Sequence, residues 1–193
     1  MKRIAVFCAS SAEIAPVYFE ATERLAELFV DKDILVVFGG YDGGLMGQLA
    51  DTVIEHGGKI KGIMPKFMKE MEWAHKGVTD VEFTDTMHER KTKYLENADG
   101  LVALPGGSGT LEELLEAITL KRLGLITKPI VILNTNNYYG PLIEMLNRCV
   151  SENFMRAEHL KMWTFVDDPE DVIDALESAP DWHQDAIRFA TRR

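Results

Sequence analysis

Residues 105–113 (PGGSGTLEE) have the residue types expected of an anion-binding turn at the start of a helix. Three glycines follow a short apolar run and precede a helical pattern. The first amides of such a helix lack internal hydrogen-bond partners, and together with the helix dipole they attract negative charge. Thr110 can add a hydroxyl donor. We therefore expect this turn to bind a phosphate group.

Thr110 and Glu113 also fit a purely structural pattern, the capping box. In that pattern Thr110 is the N-cap and Glu113 occupies the third helical position. The cap uses the same amides as the phosphate, so the two roles compete. Glu112, Glu113 and Glu116 nevertheless crowd one short stretch, and a capping box does not need three carboxylates. The sequence leaves both interpretations open.

Residues 85–93 (DTMHERKTK) bring a second group of polar side chains close to this turn. Read as a helix, they place Met87, Arg90 and Lys91 side by side at spacings of three and four. An Arg-Lys pair is usually a solvated helix face, but this one precedes the glycine-rich turn by only about 15 residues, across one short strand. His88 and Glu89 are weaker candidates for ligands or acid–base groups, since a single His-Glu pair is poor support for a metal site.

Two further loops carry small residues. Ala9, Ser10 and Ser11 follow the first apolar run, where a ligand can approach closely; the alternative is ordinary loop serines. Residues 39–47 (GGYDGGLMG) contain five glycines in nine positions, more than a tight turn needs, which favours a ligand-facing role. No lysine follows the last glycine, which excludes a Walker-type ATPase. The order of the glycines, and the lack of an acidic residue after the next strand, disfavour NAD binding.

The elements that must position these loops are predicted by hydrophobic patterning. Continuous apolar runs indicate strands buried on both faces, at residues 4–8, 34–38, 101–104 and 130–133, with weaker candidates at 59–63, 81–83 and 163–166. Helical patterns alternate with them at residues 17–30, 45–55, 111–123, 139–150 and 169–176. The alternation predicts an α/β fold, a doubly wound parallel sheet flanked by helices on both faces. Ligands bind such sheets beyond the carboxyl ends of the strands, at the switch in strand order.

The remaining segments complete the organisation of the chain. Residues 64–79 predict a long connection with some helix. Asp168 and Pro169 predict the N-cap and first position of the last helix. We interpret residues 1–180 as one domain and residues 181–193 as a polar tail, either loose or packed on a partner.

Composition narrows the class of protein. A net charge of −10 disfavours binding to a nucleic-acid backbone, although a local site can still hold a small anion. Cys8 and Cys149 form no metal or redox motif and are typical of a reducing compartment. The first apolar run is too short for a secretory signal, and no stretch approaches a membrane span, so we expect a cytoplasmic protein.

The loops described above together resemble the LOG (LONELY GUY) family, cytokinin riboside 5′-monophosphate phosphoribohydrolases widely mislabelled as lysine decarboxylases. The family signature PGGxGTxxE is matched without exception by residues 105–113, and its MHxRK motif by residues 87–91. Its GGGxxGLMG loop corresponds to residues 39–47, and its CGSS to residues 8–11. The likeness extends from residue 4 to about residue 178. Tyr41 replaces the third glycine of GGG and Ala9 the glycine of CGSS, so the base or ribose pocket is where this chain departs from the family.

The resemblance implies a Rossmann-like fold, a homodimer with sites near the interface, and hydrolysis of a nucleoside 5′-monophosphate of the AMP or N6-prenyl-AMP type to free base and ribose 5-phosphate. It implies no metal and no organic cofactor. The implied catalytic pair is Arg90 and Glu113. The implied substrate-binding residues are Gly106, Gly107, Gly109 and Thr110 at the phosphate, with Ser10, Gly40, Met87 and Lys91 elsewhere in the site.

Three rival interpretations remain. A decarboxylase needs pyridoxal phosphate on a lysine and an acidic partner for its ring nitrogen, and Lys91 and Lys93 are candidates in name only. A nucleotide or cofactor carrier without turnover has the same fold, because fold does not decide function. A structural or interaction protein leaves the glycines after the strands unexplained.

Overall fold

A parallel β-sheet forms the centre of the protein. The computed structural model describes residues 2–71, 73–96 and 98–190. The strands in these residues are β1 (Arg3–Phe7), β2 (Leu35–Phe38), β3 (Lys59–Pro65), β4 (Val81–Thr84), β5 (Gly100–Ala103), β6 (Ile130–Leu133) and β7 (Thr164–Val166). They form one seven-stranded sheet in the order β4-β3-β2-β1-β5-β6-β7, and every adjacent pair is parallel.

Helices cover both faces of the sheet. In the described residues they are α1 (Pro16–Asp31), α2 (Gly44–Glu55), α3 (Lys66–Glu70), α4 (Met87–Glu96), α5 (Ser108–Arg122), α6 (Gly140–Ser151) and α7 (Asp171–Glu177). Short 3₁₀ helices lie at Thr135–Asn137, Ala157–Met162 and Gln184–Phe189. None of the helices in this part of the chain combines the length and the apolar character needed to cross a bilayer.

The alternation of side chains along the strands builds two cores. Along β1, Ile4 and Val6 face the layer that contains α1, α2 and α7, whereas Ala5 and Phe7 face the layer that contains α4, α5 and α6. Successive strand residues point to opposite faces, and here both faces are buried. This explains why the central strands β1, β2, β5 and β6 are continuous apolar runs, and the parallel sheet confirms the predicted doubly wound fold.

The strand order changes direction beside β1. From β1 the chain builds outward through β2 and β3 to β4, and then returns to the other side of β1 at β5. The loops after β1 and β5 therefore diverge and leave a crevice at the carboxyl ends of the strands, the usual ligand position in open α/β sheets.

Two predicted helix starts are wrong. Helix α5 begins at Ser108 with Gly107 as its N-cap, so Thr110 lies inside the helix. Helix α7 begins at Asp171, and the predicted cap, Asp168, lies in a preceding turn whose carbonyl accepts the amide of Asp171 at 3.2 Å. Thr110 lies three residues after the observed N-cap, Gly107, and Asp168 lies two residues before the observed N-cap, Glu170.

The segment after α7 packs on the chain itself. The indole Nε1 of Trp182 donates to the carbonyl oxygen of Lys121 in α5 at 2.6 Å. Gly124 approaches the following 3₁₀ helix so closely that a Cβ there would lie 2.2 Å from the carbonyl oxygen of Gln184. The predicted polar tail is thus docked as far as Ala190, while residues 191–193 lie outside the described residues.

Candidate active site

A cleft of about 410 Å³ opens at the crevice beside β1. It is lined by the loops after β1, β2 and β5, by helices α2, α3, α4 and α5, and by the segment after α3. The lining residues are Cys8, Ala9, Ser10, Gly39, Tyr41, Met46, Met68, Trp73, Met87, Arg90, Gly107, Ser108, Gly109, Thr110 and Glu113. The cleft has the N-terminus of α5 at one end, a charged centre and an apolar wall.

The N-terminus of α5 forms one end of the cleft and is suited to an anion. No side chain caps this helix in the described structure, and its first backbone hydrogen bond runs from the amide of Leu111 to the carbonyl of Gly107 at 3.0 Å. The amides before Leu111 have no helical acceptors and carry the positive end of the helix dipole. Gly107, Ser108 and Gly109 are exposed, so an anion in the cleft can reach these amides.

The three glycines of this turn differ in why a side chain is absent. A Cβ at Gly106 would lie 2.1 Å from Oγ1 of Thr110, so Gly106 is required by packing within the protein. A Cβ at Gly107 or Gly109 would meet no protein atom within 4 Å. The absence of side chains at these two positions leaves space at the helix N-terminus that a ligand can fill.

The capping-box interpretation of Thr110 and Glu113 is wrong. Thr110 is the third residue of α5 and Glu113 the sixth, so neither occupies its predicted position relative to the helix start. The carboxylate of Glu113 instead turns toward α4. A cap-like pair is found at the start of α4, where Oγ1 of Thr86 accepts the amide of Glu89 at 3.1 Å and the Glu89 carboxylate accepts the amide of Asp85 at 2.9 Å.

Arg90 and Glu113 form an ion pair at the centre of the cleft. Nη1 of Arg90 lies 3.2 Å from Oε1 of Glu113, and both side chains are largely buried. Nε of Arg90 donates to the carbonyl of Ile63 in β3 at 3.1 Å, and the guanidinium packs 5.1 Å from the ring centroid of Tyr94. The arginine is therefore held by the sheet, while Glu113 is held by α5.

Burial raises the pKa of Glu113 above its ordinary value of 4.5, and the nearby positive charge of Arg90 counteracts this only in part. The direction is what desolvation of a carboxylate produces when one ion pair does not fully replace water. Raised carboxyl pKa values beside a specific charge partner in a cleft are typical of functional sites.

Gly39 makes room for the arginine. A Cβ at Gly39 would lie 2.6 Å from Nη2 of Arg90 and 2.7 Å from Sδ of Met46. Gly40 has a φ of 76° in the turn that follows β2, a conformation that favours glycine. The glycine-rich loop after β2 thus serves both the turn and the close approach of the guanidinium.

The apolar wall of the cleft is aromatic. The rings of Tyr41 and Trp73 meet edge to face with centroids 6.0 Å apart. The amide of Asp42 donates to the carbonyl of Trp73 at 2.9 Å, and an antiparallel bridge joins Tyr41 to Ala74. The tyrosine that replaces a family glycine is thereby placed directly in the cleft, beside Met68.

The structure brings most of the predicted site residues together. Those that line the cleft are Arg90, Glu113, Ser10, Met87, Gly107, Gly109 and Thr110. Gly40 and Gly106 lie beneath it as buried backbone. Lys91 does not line the cleft, because its ammonium pairs with Glu112 at 2.6 Å and with Glu116 at 3.0 Å on the outer side of α5.

Several cleft residues were not predicted individually. Trp73 and Met68 come from the long connection after β3, and no motif marks them. A tryptophan in a connection between elements is a sequence signal that could have marked this segment as part of a site. No group of three or more histidine, cysteine or acidic side chains suited to a metal occurs in the described residues.

An uncapped helix N-terminus and a buried Arg-Glu pair lie at the switch point of the sheet, the usual ligand position in α/β proteins of the doubly wound class. Comparison with known families specifies the class further. The family described as "possible lysine decarboxylase" matches residues 46–176. A probable cytokinin riboside 5′-monophosphate phosphoribohydrolase of Oryza sativa subsp. japonica is 36% identical over 183 residues, covering 95% of this chain and 82% of the relative. A cytokinin riboside 5′-monophosphate phosphoribohydrolase of Arabidopsis thaliana is 35% identical over 186 residues, covering 96% and 87%.

The chain belongs to the LOG family of cytokinin riboside 5′-monophosphate phosphoribohydrolases. The predicted resemblance, and the predicted class of enzyme, are confirmed by this membership.

Solved structures support the fold. The molybdenum cofactor binding protein of Rippkaea orientalis superposes with a TM-score of 0.69 at 21% identity, covering 92% of this chain and 96% of that one. The molybdenum cofactor carrier protein of Chlamydomonas reinhardtii superposes with a TM-score of 0.69 at 19% identity, covering 93% and 98%. At these identities the likeness concerns the fold alone.

Proposed function

We propose that this protein hydrolyses the N-glycosidic bond of a nucleoside 5′-monophosphate of the AMP or N6-prenyl-AMP type, releasing the base and ribose 5-phosphate. The observation that carries the proposal is the buried Arg90–Glu113 pair, which lines the same cleft as the uncapped N-terminus of α5. A phosphate at that helix end and a carboxylate at the sugar are what this reaction requires.

The proposed chemistry follows from the charge that develops on the sugar. As the bond from C1′ to the base nitrogen breaks, its electron pair leaves with the base and the ribose acquires oxocarbenium character. The Glu113 carboxylate stabilises that charge and accepts a proton from the water that forms the new bond to C1′. The departing base nitrogen takes up a proton from solvent, and Glu113 returns the proton it accepted to solvent, so that one water is consumed per bond broken. Arg90 orients the carboxylate, and its second Nη lies against Gly39 at the cleft.

The phosphate has a positioning role in this proposal. Amides at the start of α5 hold the 5′-phosphate away from the reacting bond, and that remote binding energy orients the sugar. The base then lies against the apolar wall formed by Tyr41, Met68 and Trp73, where aromatic side chains suit a flat ring. The ring of Tyr41 occupies space in this part of the cleft, so we expect Tyr41 to determine which base is accepted.

Product analysis tests the reaction. Purified protein is incubated separately with AMP, a prenylated AMP, GMP and CMP, and free base and ribose 5-phosphate are measured. We expect release from at least one purine monophosphate, and a loss of about 10²- to 10⁴-fold in kcat for Glu113→Gln, because general base catalysis contributes that much. Arg90→Ala should also lose turnover. Full activity in Glu113→Gln would falsify the catalytic assignment.

Binding and absorbance measurements on the same purified protein separate the alternative functions, a carrier and a decarboxylase. A wild-type protein that binds all four nucleotides without releasing base is a carrier. A decarboxylase would show absorbance from bound pyridoxal phosphate that borohydride abolishes. Lys91 is ion-paired outside the cleft and Lys93 pairs with Glu82 at 2.8 Å, so neither is placed to hold that cofactor in the cleft.

We also propose that the protein is a cytoplasmic homodimer. A groove between α4 and α5 presents apolar side chains from Leu95, Leu120 and Leu125, and Leu125 is 66% exposed. Helices α4 and α5 also carry Arg90 and Glu113, so a second copy bound there would lie near the active site. Apolar side chains surrounded by polar ones, here including Glu96 and Lys128, are typical of a self-association surface.

A further inference from the structure

Tyrosines from the connection between β6 and α6 support the glycine-rich loop from outside the cleft. The hydroxyl of Tyr138 donates to the carbonyl oxygen of Gly106 at 2.6 Å, and that of Tyr139 donates to the carbonyl oxygen of Leu104 at 2.7 Å. The carbonyl of Pro105, between them, accepts a backbone amide from the loop after β1 at 3.3 Å. Three consecutive carbonyls of the loop therefore have donors.

The bond from Tyr138 determines which way one amide points. The carbonyl of Gly106 and the amide of Gly107 belong to the same peptide group, and in a trans peptide the two point in opposite directions. Gly107 lines the cleft, and Tyr138 is not among the residues that line it. Anchoring the Gly106 oxygen to Tyr138 therefore turns the Gly107 amide toward the cleft. Donation to the carbonyl also polarises the peptide group and strengthens its amide as a donor.

The turn that presents Tyr138 is itself held in a specific shape. Asn136 and Asn137 both have a φ of 54°, which is uncommon for residues other than glycine. The side chain of Asn134 accepts the amide of Tyr139 at 2.7 Å and so fixes the end of the turn. The ring of Tyr138 packs edge-on against Tyr139, with centroids 5.0 Å apart. This turn thus holds the Tyr138 hydroxyl against the carbonyl oxygen of Gly106.

We propose that Tyr138 is a positioning residue for the phosphate group of the substrate. Its hydroxyl orients the Gly107 amide toward the anion without touching the substrate, and it thereby contributes to selection of a monophosphate over its nucleoside. This inference rests on the proposed function, because it requires the phosphate to bind at the start of α5.

Tyr138→Phe tests the role, since it removes the hydroxyl and keeps the ring. The matched control is Tyr18→Phe, whose ring packs edge-on against Tyr138 with centroids 5.9 Å apart. We expect Tyr138→Phe to raise KM for the monophosphate, and Kd for ribose 5-phosphate measured by calorimetry, roughly three- to tenfold, the range of one hydrogen bond. We expect kcat to change less than KM, and the kcat/KM for the corresponding nucleoside to stay unchanged. Tyr18→Phe should match the wild type in all four quantities.

The outcomes separate this inference from the proposed function. If the wild type binds ribose 5-phosphate but releases no base, the proposed reaction fails and the ratio of Kd values still decides the role of Tyr138. Unchanged KM and Kd in Tyr138→Phe overturn the inference. A fall in kcat with unchanged KM, or an equal loss for nucleoside and monophosphate, also overturns it. A wild type that does not bind ribose 5-phosphate overturns both proposals.

Discussion

At the scale of single residues, the ionisation of Glu113 is the property most open to experiment. Its carboxylate is taken out of water and compensated by one guanidinium, so its pKa lies above 4.5 in the folded protein. A carboxylate that must be ionised to stabilise a cationic sugar loses its effect as the pH falls through that raised pKa.

We therefore predict that kcat/KM for the monophosphate declines on the acid side at a pH above the ordinary glutamate range. Arg90→Ala removes the positive charge that lowers the pKa of Glu113, so the acid limb of its residual activity should move to higher pH. Arg90→Lys, which keeps a positive charge, is the control and should shift the limb less. An Arg90→Ala limb at the wild-type position or below it would contradict this account.

Gly109 tests whether the open space at the start of α5 belongs to a ligand. A Cβ there meets no protein atom within 4 Å, and alanine favours a helix by about 0.5–1 kcal/mol over glycine. Gly109→Ala should thus keep or raise the thermal midpoint while raising KM for the monophosphate. The contrasting variant is Gly106→Ala, whose Cβ would lie 2.1 Å from Oγ1 of Thr110 and should lower the thermal midpoint. Unaltered kinetics in Gly109→Ala would place the phosphate elsewhere.

At the scale of elements, the loop after β2 makes room for a catalytic side chain, and the end of α5 packs against the C-terminal segment. The β2 loop leaves space for a guanidinium anchored on β3, since Gly39 lies directly against Arg90. The end of α5 receives the C-terminal segment through the carbonyl oxygen of Lys121. One element serves the active site at its start and chain packing at its end.

Gly39→Ala should displace the guanidinium and lower kcat at least tenfold, because catalytic groups tolerate little displacement. The matched control is Gly47→Ala in α2, where the nearest atom to the added Cβ is a backbone carbon at 3.6 Å, an ordinary contact. That control should be as active as the wild type and as stable or slightly more so. Equal activity of both variants would show that Arg90 does not need its observed position.

Lys121, near the end of α5, makes the unfolding free energy of the protein depend on pH. The side chain is 1% exposed, its ammonium donates to the carbonyl of Lys128 at 2.8 Å, and burial lowers its pKa to about 8. Between about pH 8 and the ordinary lysine value of 10.5, the unfolded chain binds more protons than the folded one, so this lysine makes stability rise with pH, by up to about 3 kcal/mol.

Comparison with Lys121→Met isolates that contribution. Urea denaturation of both proteins at several pH values gives the difference in unfolding free energy. We expect the wild type to gain on the variant as the pH rises from about 8 toward 10.5. A difference that stays constant over this range would show that Lys121 titrates normally.

At the scale of the whole molecule, the groove between α4 and α5, with its exposed Leu125, bears on the proposed dimer. Leu125→Glu should shift the mass measured by light scattering from dimer to monomer, because a charge in an apolar interface is costly. The control is Met145→Glu on α6, which is also exposed, at 57%, but lies outside this groove. If the wild type is monomeric at every concentration, or if Leu125→Glu is still a dimer, this groove is not a dimer interface.

The amino-acid sequence by itself determined the fold class and the family. Strands buried on both faces must be continuously apolar, and glycine-rich turns at their carboxyl ends must meet at the switch point of a doubly wound sheet. Residues 105–113 and 87–91 carry the family motifs, and the resemblance they establish implied the pair of Arg90 and Glu113, which the fold brings to 3.2 Å.

The tertiary structure decided where neighbouring positions on the same helix point. Lys91 follows Arg90 directly, yet it turns outward to Glu112 while Arg90 turns inward to the carbonyl of Ile63. Helix rotation about its axis is set by packing against the sheet, which no local motif encodes. Trp73, from another segment, lies at the cleft beside Tyr41, where its carbonyl accepts the amide of Asp42 in the loop after β2. Long-range packing, rather than local propensity, thus assigned individual side chains to the site.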